Sequence, residues 1–239
     1  MQGSELVVAA EGQRLARSDL IGAVLALVQE DGTVANVRID DIATDPGRAE
    51  GDVVLYDLSV VEDGRPPVPA CPVEPDGLRH AVLQQGSDGA ILIYCTAGAL
   101  GKCIRLGYRP WATQDGVPLA PYWNACIHMI RGDYCGNDRA TTRNGMLIDI
   151  HDGLGIQQRV AAPEAGANLP FEAAWGEEGA ICVAHPRVPQ NITLDALAAE
   201  CPRLSGRVGP GCTEAAAQRL GTPLNFNASR GDGVPEGDR

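Results

Sequence analysis

The stretch APYWNACIHMIRGDYCG, residues 120–136, predicts a helix that ends in a tight corner. Pro121 suits the first turn of a helix, where its missing N–H would have had no partner. Trp123, Ile127 and Ile130 follow at the spacing i, i+4 and i+7, which places them on one apolar stripe. A helix with such a stripe is expected to lie against the core.

The corner itself is predicted from the residues that follow the last helical turn. Gly132 is placed to end the helix, because glycine readily adopts the left-handed conformation found there. We expect Asp133 to accept hydrogen bonds from the backbone or a nearby arginine, Tyr134 to pack with other aromatics, and Cys135 to tie the corner down. Arg131 completes an RGD tripeptide, but adhesion needs a projecting loop and is not favoured beside a cysteine at a helix end.

Composition limits the class of protein. The chain has 239 residues, enough for one large domain or two small ones, and 44% of them are apolar, which is typical of a globular protein. The formal net charge is −12, so a nucleic acid or an anionic membrane surface is not expected as a partner. The acidity favours solubility, and an acidic surface could also recruit a basic protein.

Cysteine usage predicts disulfides and an oxidising compartment. An even number of cysteines is spread over most of the chain, which favours disulfides over free thiols. No pair of cysteines has the tight spacing of a structural zinc site, and the nearest cysteine–histidine pair is Cys126 and His128, so neither a metal nor another cofactor is expected. The connectivity cannot be derived from the sequence. The disulfide candidates are Cys71, Cys95, Cys103, Cys126, Cys135, Cys182, Cys201 and Cys212.

Targeting signals are absent from this chain. Its first residues, MQGSELVVAAEG, have neither a basic start nor a long apolar run, and no stretch is long enough to span a membrane. Together with the cysteines, this predicts an extracellular or periplasmic protein whose export signal has been removed. A lipid anchor on the native precursor is left open.

The N-terminal third is predicted to be rich in β-hairpins. Residues 1–12 are interpreted as a flexible head, and 13–70 as a β-rich region. Two apolar runs flank the turn Glu30-Asp31-Gly32, and two more flank Glu62-Asp63-Gly64, where glycine supplies the positive φ of a hairpin turn. The apolar run before the first turn is also compatible with a helix.

The remainder, 71–226, is predicted to form a cysteine-bearing region of short helices and hairpins, in one compact unit with 13–70. Besides the helix described above, the patterns indicate a strand ending at Cys95, a short helix after it, a hairpin around residues 176–179, and two helices with N-caps at Thr193 and Thr213. Residues 227–239 are polar and are expected to be a disordered tail. The fold class is therefore α+β.

Aromatic residues cluster in the middle of the chain and raise the prospect of a binding site. Tyr108, Trp111, Trp123 and Tyr134 all lie within residues 94–135, which also hold four of the cysteines. One interpretation is a groove for sugar rings or peptides. The other is that this segment is the best-packed part of the core, with rings packed against a disulfide.

Candidate acid–base residues occur at two places, although no enzymatic activity is favoured. Asp149 and His151 alternate in a predicted strand and would share a face, and a carboxylate that orients an imidazole is how a general base is built. Asp133 with His128 is a second such pair. Against this, no nucleophile motif occurs, and a histidine in a helix is more often a buried, hydrogen-bonded one.

Five segments in order, GKCIRLGYRPW, NACIHMIRGDYCGND, GMLIDIHDGLGIQ, FEAAWGEEGAICVAHPRV and CPRL, resemble the ADYC-domain family, a bacterial family named for an Ala-Asp-Tyr-Cys motif. The resemblance covers roughly residues 52–212. Gly132 stands where the motif has alanine, while Asp133, Tyr134 and Cys135 match. The family has no established activity, so the resemblance implies export and a cysteine framework and gives no catalytic residue.

Three functions follow as hypotheses. The first is an exported, disulfide-stabilised binding or structural module without enzymatic activity. The second is a secreted hydrolase that acts on cell-wall or extracellular polymers through His151 with Asp149 or through Asp133 with His128. The third is a component of a bacterial conflict system, which no sequence feature supports directly.

Overall fold

A computed structural model describes residues 1–10, 12–28, 32–46, 53–74, 77–159 and 169–235. It shows an α+β protein, as predicted, with short helices and several antiparallel sheets. The chain forms two compact units, Met1–Arg105 and Leu106–Arg239. The region predicted to be β-rich, 13–70, lies in the first unit together with the strands β7 (His80–Gln85) and β8 (Ile91–Cys95) and the helix α1 (Ala99–Arg105).

The first unit is built from eight strands and one helix in the described residues. They are β1 (Val7–Ala10), β2 (Gln13–Ala16), β3 (Val24–Val28), β4 (Val34–Thr44), β5 (Val54–Val61), β6 (Val68–Pro69), β7 (His80–Gln85), β8 (Ile91–Cys95) and α1 (Ala99–Arg105).

Six of these strands form one antiparallel sheet in the order β3-β4-β5-β7-β8, with β6 beside β5. Alternate residues of β4 and β5 point into an apolar core that includes Ile39, Tyr56 and Leu58. The apolar run before the first turn is thus a strand, β3, and not a helix. Residues 30 and 31 of that predicted turn lie outside the described residues, whereas the second turn is seen between β5 and β6, with Gly64 at φ 73°.

The N-terminal segment is fastened to this sheet. The backbone N–H of Leu6 donates to the Tyr56 hydroxyl at 2.8 Å, and the hydroxyl of Ser4 accepts from the N–H of Val54 at 2.7 Å. Ser4 and Leu6 are buried, and β1 pairs with β2. The structure therefore corrects the expectation of a flexible head over 1–12, since these buried contacts hold it in place.

The second unit contains three helices and six strands in its described residues. They are β9 (Thr113–Gln114), β10 (Val117–Pro118), α2 (Ala120–Arg131), β11 (Asp149–Asp152), β12 (Phe171–Gly176), β13 (Gly179–Val183), α3 (Leu194–Glu200), α4 (Glu214–Leu220) and β14 (Asn225–Ala228).

Its main sheet has the order β11-β14-β12-β13, and α2 packs against β12, β13 and β14. The helices α3 and α4 begin as predicted, with the Thr193 and Thr213 hydroxyls accepting from the N–H three residues on. The expectation of a disordered tail from residue 227 disagrees with β14, which is an inner strand of the sheet. Its polar residues, Asn225 and Asn227, point inward and are buried.

All eight cysteines are disulfide-bonded, which confirms the predicted disulfides. Cys71 pairs with Cys95 in the first unit. In the second unit, Cys135 pairs with Cys201 and Cys182 with Cys212. Cys103 and Cys126 are disulfide-bonded as well. No helix in the described ranges is both long and apolar enough to cross a bilayer.

Candidate functional site

The helix α2 ends in the corner that residues 132–138 form, which we call the helix-end corner. Gly132 has φ 61° and ψ 34°, the left-handed conformation, and its N–H donates to the carbonyl of Met129. The N–H of Asp133 donates to the carbonyl of His128. These two bonds form a Schellman motif, so the glycine ends the helix in the way the sequence predicts.

The buried carboxylate of Asp133 organises the turn that follows. Its Oδ1 accepts from the N–H groups of Gly136 and Asn137 at 3.0 and 3.1 Å, and its Oδ2 accepts from the N–H of Asp138 at 2.9 Å. Three backbone N–H groups of the turn thus converge on one carboxylate. Asp133 is therefore a structural centre of the corner.

His128 lies beside the same carboxylate. Its Nδ1 is 3.0 Å from Asp133 Oδ2, and 18% of its side chain is exposed. The structure thus brings together the second of the two predicted acid–base pairs. The geometry can orient the imidazole, but the carboxylate that does so is already engaged by three backbone N–H groups.

Tyr134 enters the core of the second unit. Its hydroxyl donates to Glu172 Oε1 at 2.9 Å and accepts from the N–H of Arg187 at 2.8 Å, and its ring stacks on Trp175 at a centroid distance of 5.2 Å. Burial raises the pKa of Tyr134 well above its usual range, and the charge of Glu172 raises it further. The hydroxyl is thus held protonated, as a donor.

Arg187 and Glu172 form a buried ion pair next to Tyr134. The guanidinium also donates to the carbonyls of Met129 and Ile130 in the last turn of α2, at 2.9 and 3.3 Å. Burial alone would raise the pKa of Glu172, but Arg187 outweighs it by charge and hydrogen bonding, and the net pKa is lowered. Sequence reasoning missed this pair, although Glu172 is the lone charge in an otherwise apolar strand.

Cys135 closes the corner through its disulfide with Cys201. Its carbonyl accepts from Arg203 Nη2 at 3.1 Å, and the same nitrogen donates to the carbonyl of Glu178 at 2.6 Å. Gly136 lies directly against the β12–β13 turn, since a Cβ built on it would be 1.9 Å from the carbonyl oxygen of Glu178. Tyr134 and Cys135 thus connect the end of α2 to other parts of the unit, whereas Asp133 organises the corner itself.

The first predicted acid–base pair is arranged differently. Asp149 and His151 lie two residues apart on β11, and the His151 ring stacks on Phe226 at a centroid distance of 5.1 Å. The carboxylate beside His151 belongs to Glu214 of α4, with Nε2 and Oε1 3.4 Å apart, and Glu214 also pairs with Arg159. Sequence reasoning did not single out Glu214, which is remote in the chain.

The four aromatic candidates occupy different environments. Tyr108 and Tyr134 are buried, so they offer no surface to a ligand, whereas Trp111 and Trp123 are half-buried. Tyr108 donates to Asp152 Oδ2 at 2.8 Å and stacks on Tyr122. The two half-buried tryptophans are the members of the set that keep some exposed surface.

A groove of about 290 Å³ lies beside the helix-end corner. Its lining includes Ile181, which packs between the backbones of Gly176 and Gly221. Its lining also includes Glu178 and Arg207, whose side chains make no hydrogen bond or ion pair with the residues that the structure describes. The lining of the groove therefore combines an apolar side chain with charges of both signs.

The family model described as the ADYC domain matches residues 17–189. The match begins earlier and ends earlier than the resemblance seen in the sequence, and it includes the helix-end corner, Glu172 and Arg187. No curated protein and no solved structure matches the chain significantly.

Proposed function

The chain belongs to the ADYC-domain family, and we propose that it is an exported, disulfide-stabilised binding module without enzymatic activity. Support for export comes from the cysteines, since all eight are disulfide-bonded. Disulfides persist in secreted and periplasmic proteins and are rare where thiol reductants are abundant.

The non-enzymatic part of the proposal rests on the contacts that the candidate acid–base residues make. Asp133 accepts three backbone N–H groups and contacts His128, and the carboxylate at His151 is shared with Arg159. These groups stabilise turns and element ends, which is a structural role. The three motif residues do the same, so the family signature supports a scaffold.

The groove beside the corner supports a binding role. Arg207 would pair with a carboxylate of the ligand, Glu178 with a basic group, and Ile181 with an apolar side chain. This chemistry suits a short peptide segment that carries charges of both signs around an apolar residue. The net charge of −12 would attract a basic protein that presents such a segment.

Intact mass spectrometry with alkylation tests the disulfide part of the proposal. The native protein should take up no alkylating groups, and the reduced, unfolded protein should take up one at each of its eight cysteines. Eight reactive thiols in the native protein would contradict the proposal.

A displayed peptide library tests the binding part. Peptides enriched on the wild-type protein should lose affinity for the Arg207→Glu variant. They should keep affinity for Arg219→Glu, a matched change at an exposed arginine of α4. If both variants bind equally, the groove is not the site.

A second candidate is a hydrolase that acts on cell-wall or extracellular polymers. The observation that favours it is the 3.0 Å contact between His128 and Asp133, because a buried carboxylate can orient a histidine as a general base. Turnover of peptidoglycan or polysaccharide that is abolished by His128→Ala, in a variant that keeps its unfolding temperature, would establish this function in place of the binding role.

A further inference from the structure

The edge strand β3 reads the same in both directions: Val24-Leu25-Ala26-Leu27-Val28. Within the described part of the chain, it is paired on one side only, by β4. Its other side is an open edge of the six-stranded sheet. An open edge presents unpaired backbone donors and acceptors and can therefore pair with another strand.

The register of β3 on β4 determines which backbone groups face that edge. The N–H of Ile39 donates to the carbonyl of Ala23, so this is a hydrogen-bonded position of the ladder. Hydrogen-bonded and non-bonded pairs alternate along an antiparallel ladder. Leu25 and Leu27 therefore bond with β4, and the N–H and C=O groups of Val24, Ala26 and Val28 point outward.

The side chains of β3 expose apolar surface at this edge. Val24 is 53% exposed, Val28 is 76% exposed, and Val34, which faces Val28 across the β3–β4 pair, is 59% exposed. Leu25 and Leu27, on the other face, are half-buried against the core of the first unit. β3 carries neither a charge nor a proline, the usual devices by which proteins block edge pairing.

We propose that two copies of this chain associate through their β3 strands, antiparallel, about a two-fold axis at Ala26. In this register Val24 faces Val28 of the second copy, Leu25 faces Leu27, and Ala26 faces its own equivalent. The three facing pairs made by the outward-pointing residues each exchange two backbone hydrogen bonds. The exposed valines then form one apolar face, and the leucines extend the two cores toward each other.

The palindrome makes this edge complementary to itself in the type of its side chains. About a two-fold axis each residue i that contacts j is matched by j contacting i. In the proposed register each of these contacts joins two residues of one kind, Val with Val and Leu with Leu, so the exposed face and the core-facing face both continue from one copy to the other. This match favours a second copy as the partner.

Analytical ultracentrifugation of the full chain tests the proposal. The interface of one short strand is well below the ~1,600 Å² of a standard interface, so the measurement should extend to roughly 500 µM protein. The mass should rise from 25.1 kDa toward twice that value with concentration. The dimer should be favoured by added salt, because each copy carries a net charge of −12.

Two variants remove the pairing in different ways. Ala26→Lys places two like charges on the two-fold axis, and Ala26→Pro removes an outward N–H at an edge where proline is tolerated. Both should stay monomeric at concentrations at which the wild type dimerises. The control is Val68→Lys, an equally drastic change at a 61% exposed valine of β6, and it should dimerise as the wild type does.

Circular dichroism must first show that each variant is folded. If the Ala26→Pro variant does not fold, the Ala26→Lys variant alone tests the proposal. A wild type that is monomeric at every concentration and salt level would overturn the proposal. A dimer that survives Ala26→Lys, or one that Val68→Lys also abolishes, would overturn it too.

Discussion

Arg187 and Glu172 form an ion pair with two hydrogen bonds inside the second unit, Nε to Oε2 and Nη2 to Oε1, each at 3.0 Å. Both side chains are almost completely buried, with exposed fractions of 2% and 0%. Glu172 also accepts a hydrogen bond from the hydroxyl of Tyr134, and Arg187 donates to carbonyls in the last turn of α2. The pair is therefore the point at which the family motif, the helix and the sheet meet.

Replacing one partner of this pair should be strongly destabilising. Glu172→Gln would leave the Arg187 charge buried without a counter-charge, which typically costs about 3–5 kcal/mol in the free energy of unfolding. Guanidinium-induced unfolding of the oxidised protein measures this loss. The control is Glu200→Gln, which breaks the exposed pair with Arg139 and should cost less than about 1 kcal/mol. Equal effects of the two changes would contradict the role assigned to the buried pair.

Protonation of Glu172 at low pH should lower the free energy of unfolding. Its folded-state pKa is lowered, so its contribution to stability is fully present above the unfolded-state pKa of about 4.3 and is lost as the pH falls through the folded-state value. Unfolding free energies measured from pH 7 downward should show this decline in the wild type. The decline should be smaller in Glu172→Gln, which has no carboxylate to protonate at this position. If stability falls equally with pH in both proteins, groups other than Glu172 cause the decline.

Alkali should act on Tyr134 in the opposite sense. Its pKa is raised, chiefly by burial, so its contribution to stability is present below the unfolded-state value of about 10 and is lost as the pH rises through the folded-state value. Absorbance at the tyrosinate band should show fewer tyrosines titrating in the native protein than after unfolding by denaturant, because Tyr56 is also buried and its pKa is raised too. Tyr134→Phe should reduce that difference by one tyrosine, and it should also lower the unfolding free energy by about 1–3 kcal/mol, because partners at Glu172 and Arg187 lose their hydrogen bonds.

A methyl group at Gly136 should disturb the corner more than one at another left-handed glycine. Gly136 and Gly116 have φ 68° and 80°, and alanine in this region costs roughly 1–2 kcal/mol at either site. At Gly136 the new Cβ would also overlap the Glu178 carbonyl, whereas nothing lies within 4 Å at Gly116. Overpacking of this kind adds about 1–3 kcal/mol, so Gly136→Ala should be the more destabilising change in thermal unfolding. The reverse order would mean that the β12–β13 turn moves away freely.

The two disulfides of the second unit should differ in their contribution to stability. Cys135 and Cys201 are 66 residues apart, and Cys182 and Cys212 are 30 apart. In the chain-entropy model the longer loop stabilises by about 0.7 kcal/mol more, on top of the 2–5 kcal/mol that removing either typically costs. Paired Cys→Ser variants of each bridge, unfolded by denaturant, measure both values. A larger loss from the shorter bridge would show that native contacts, and not loop length, decide the order.

The sequence predicts correctly those features that depend on residues close together in the chain. Gly132 ends α2 and Thr193 and Thr213 begin α3 and α4 as predicted, because a cap depends on residues within one helical turn. The two hairpins of the first sheet and the presence of disulfides also follow from the sequence. The α+β class follows from these elements.

Contacts between residues that are distant in the chain could not be obtained in this way. The carboxylate beside His151 comes from Glu214, and the partner of Glu172 is an arginine in a loop. β14 was missed because the chain from Asn227 onward has the composition of a polar tail. Asn225 and Asn227 are buried in the inner strand of a sheet, where Trp175 donates to the Asn227 side chain at 2.7 Å. Only the tertiary fold supplies such partners.

The two bridges of the second unit interleave along the chain, since Cys182 lies between Cys135 and its partner Cys201. When the chain is exported with its N-terminal end first, Cys135 therefore meets Cys182, which is not its native partner, before it meets Cys201. Pairing of neighbours in order of appearance would give a non-native crosslink, which thiol–disulfide exchange must then rearrange. Correct maturation thus requires either that oxidation waits for the β12–β13 hairpin to form or that an isomerase is present, and a host that lacks one is a poor choice for producing this protein.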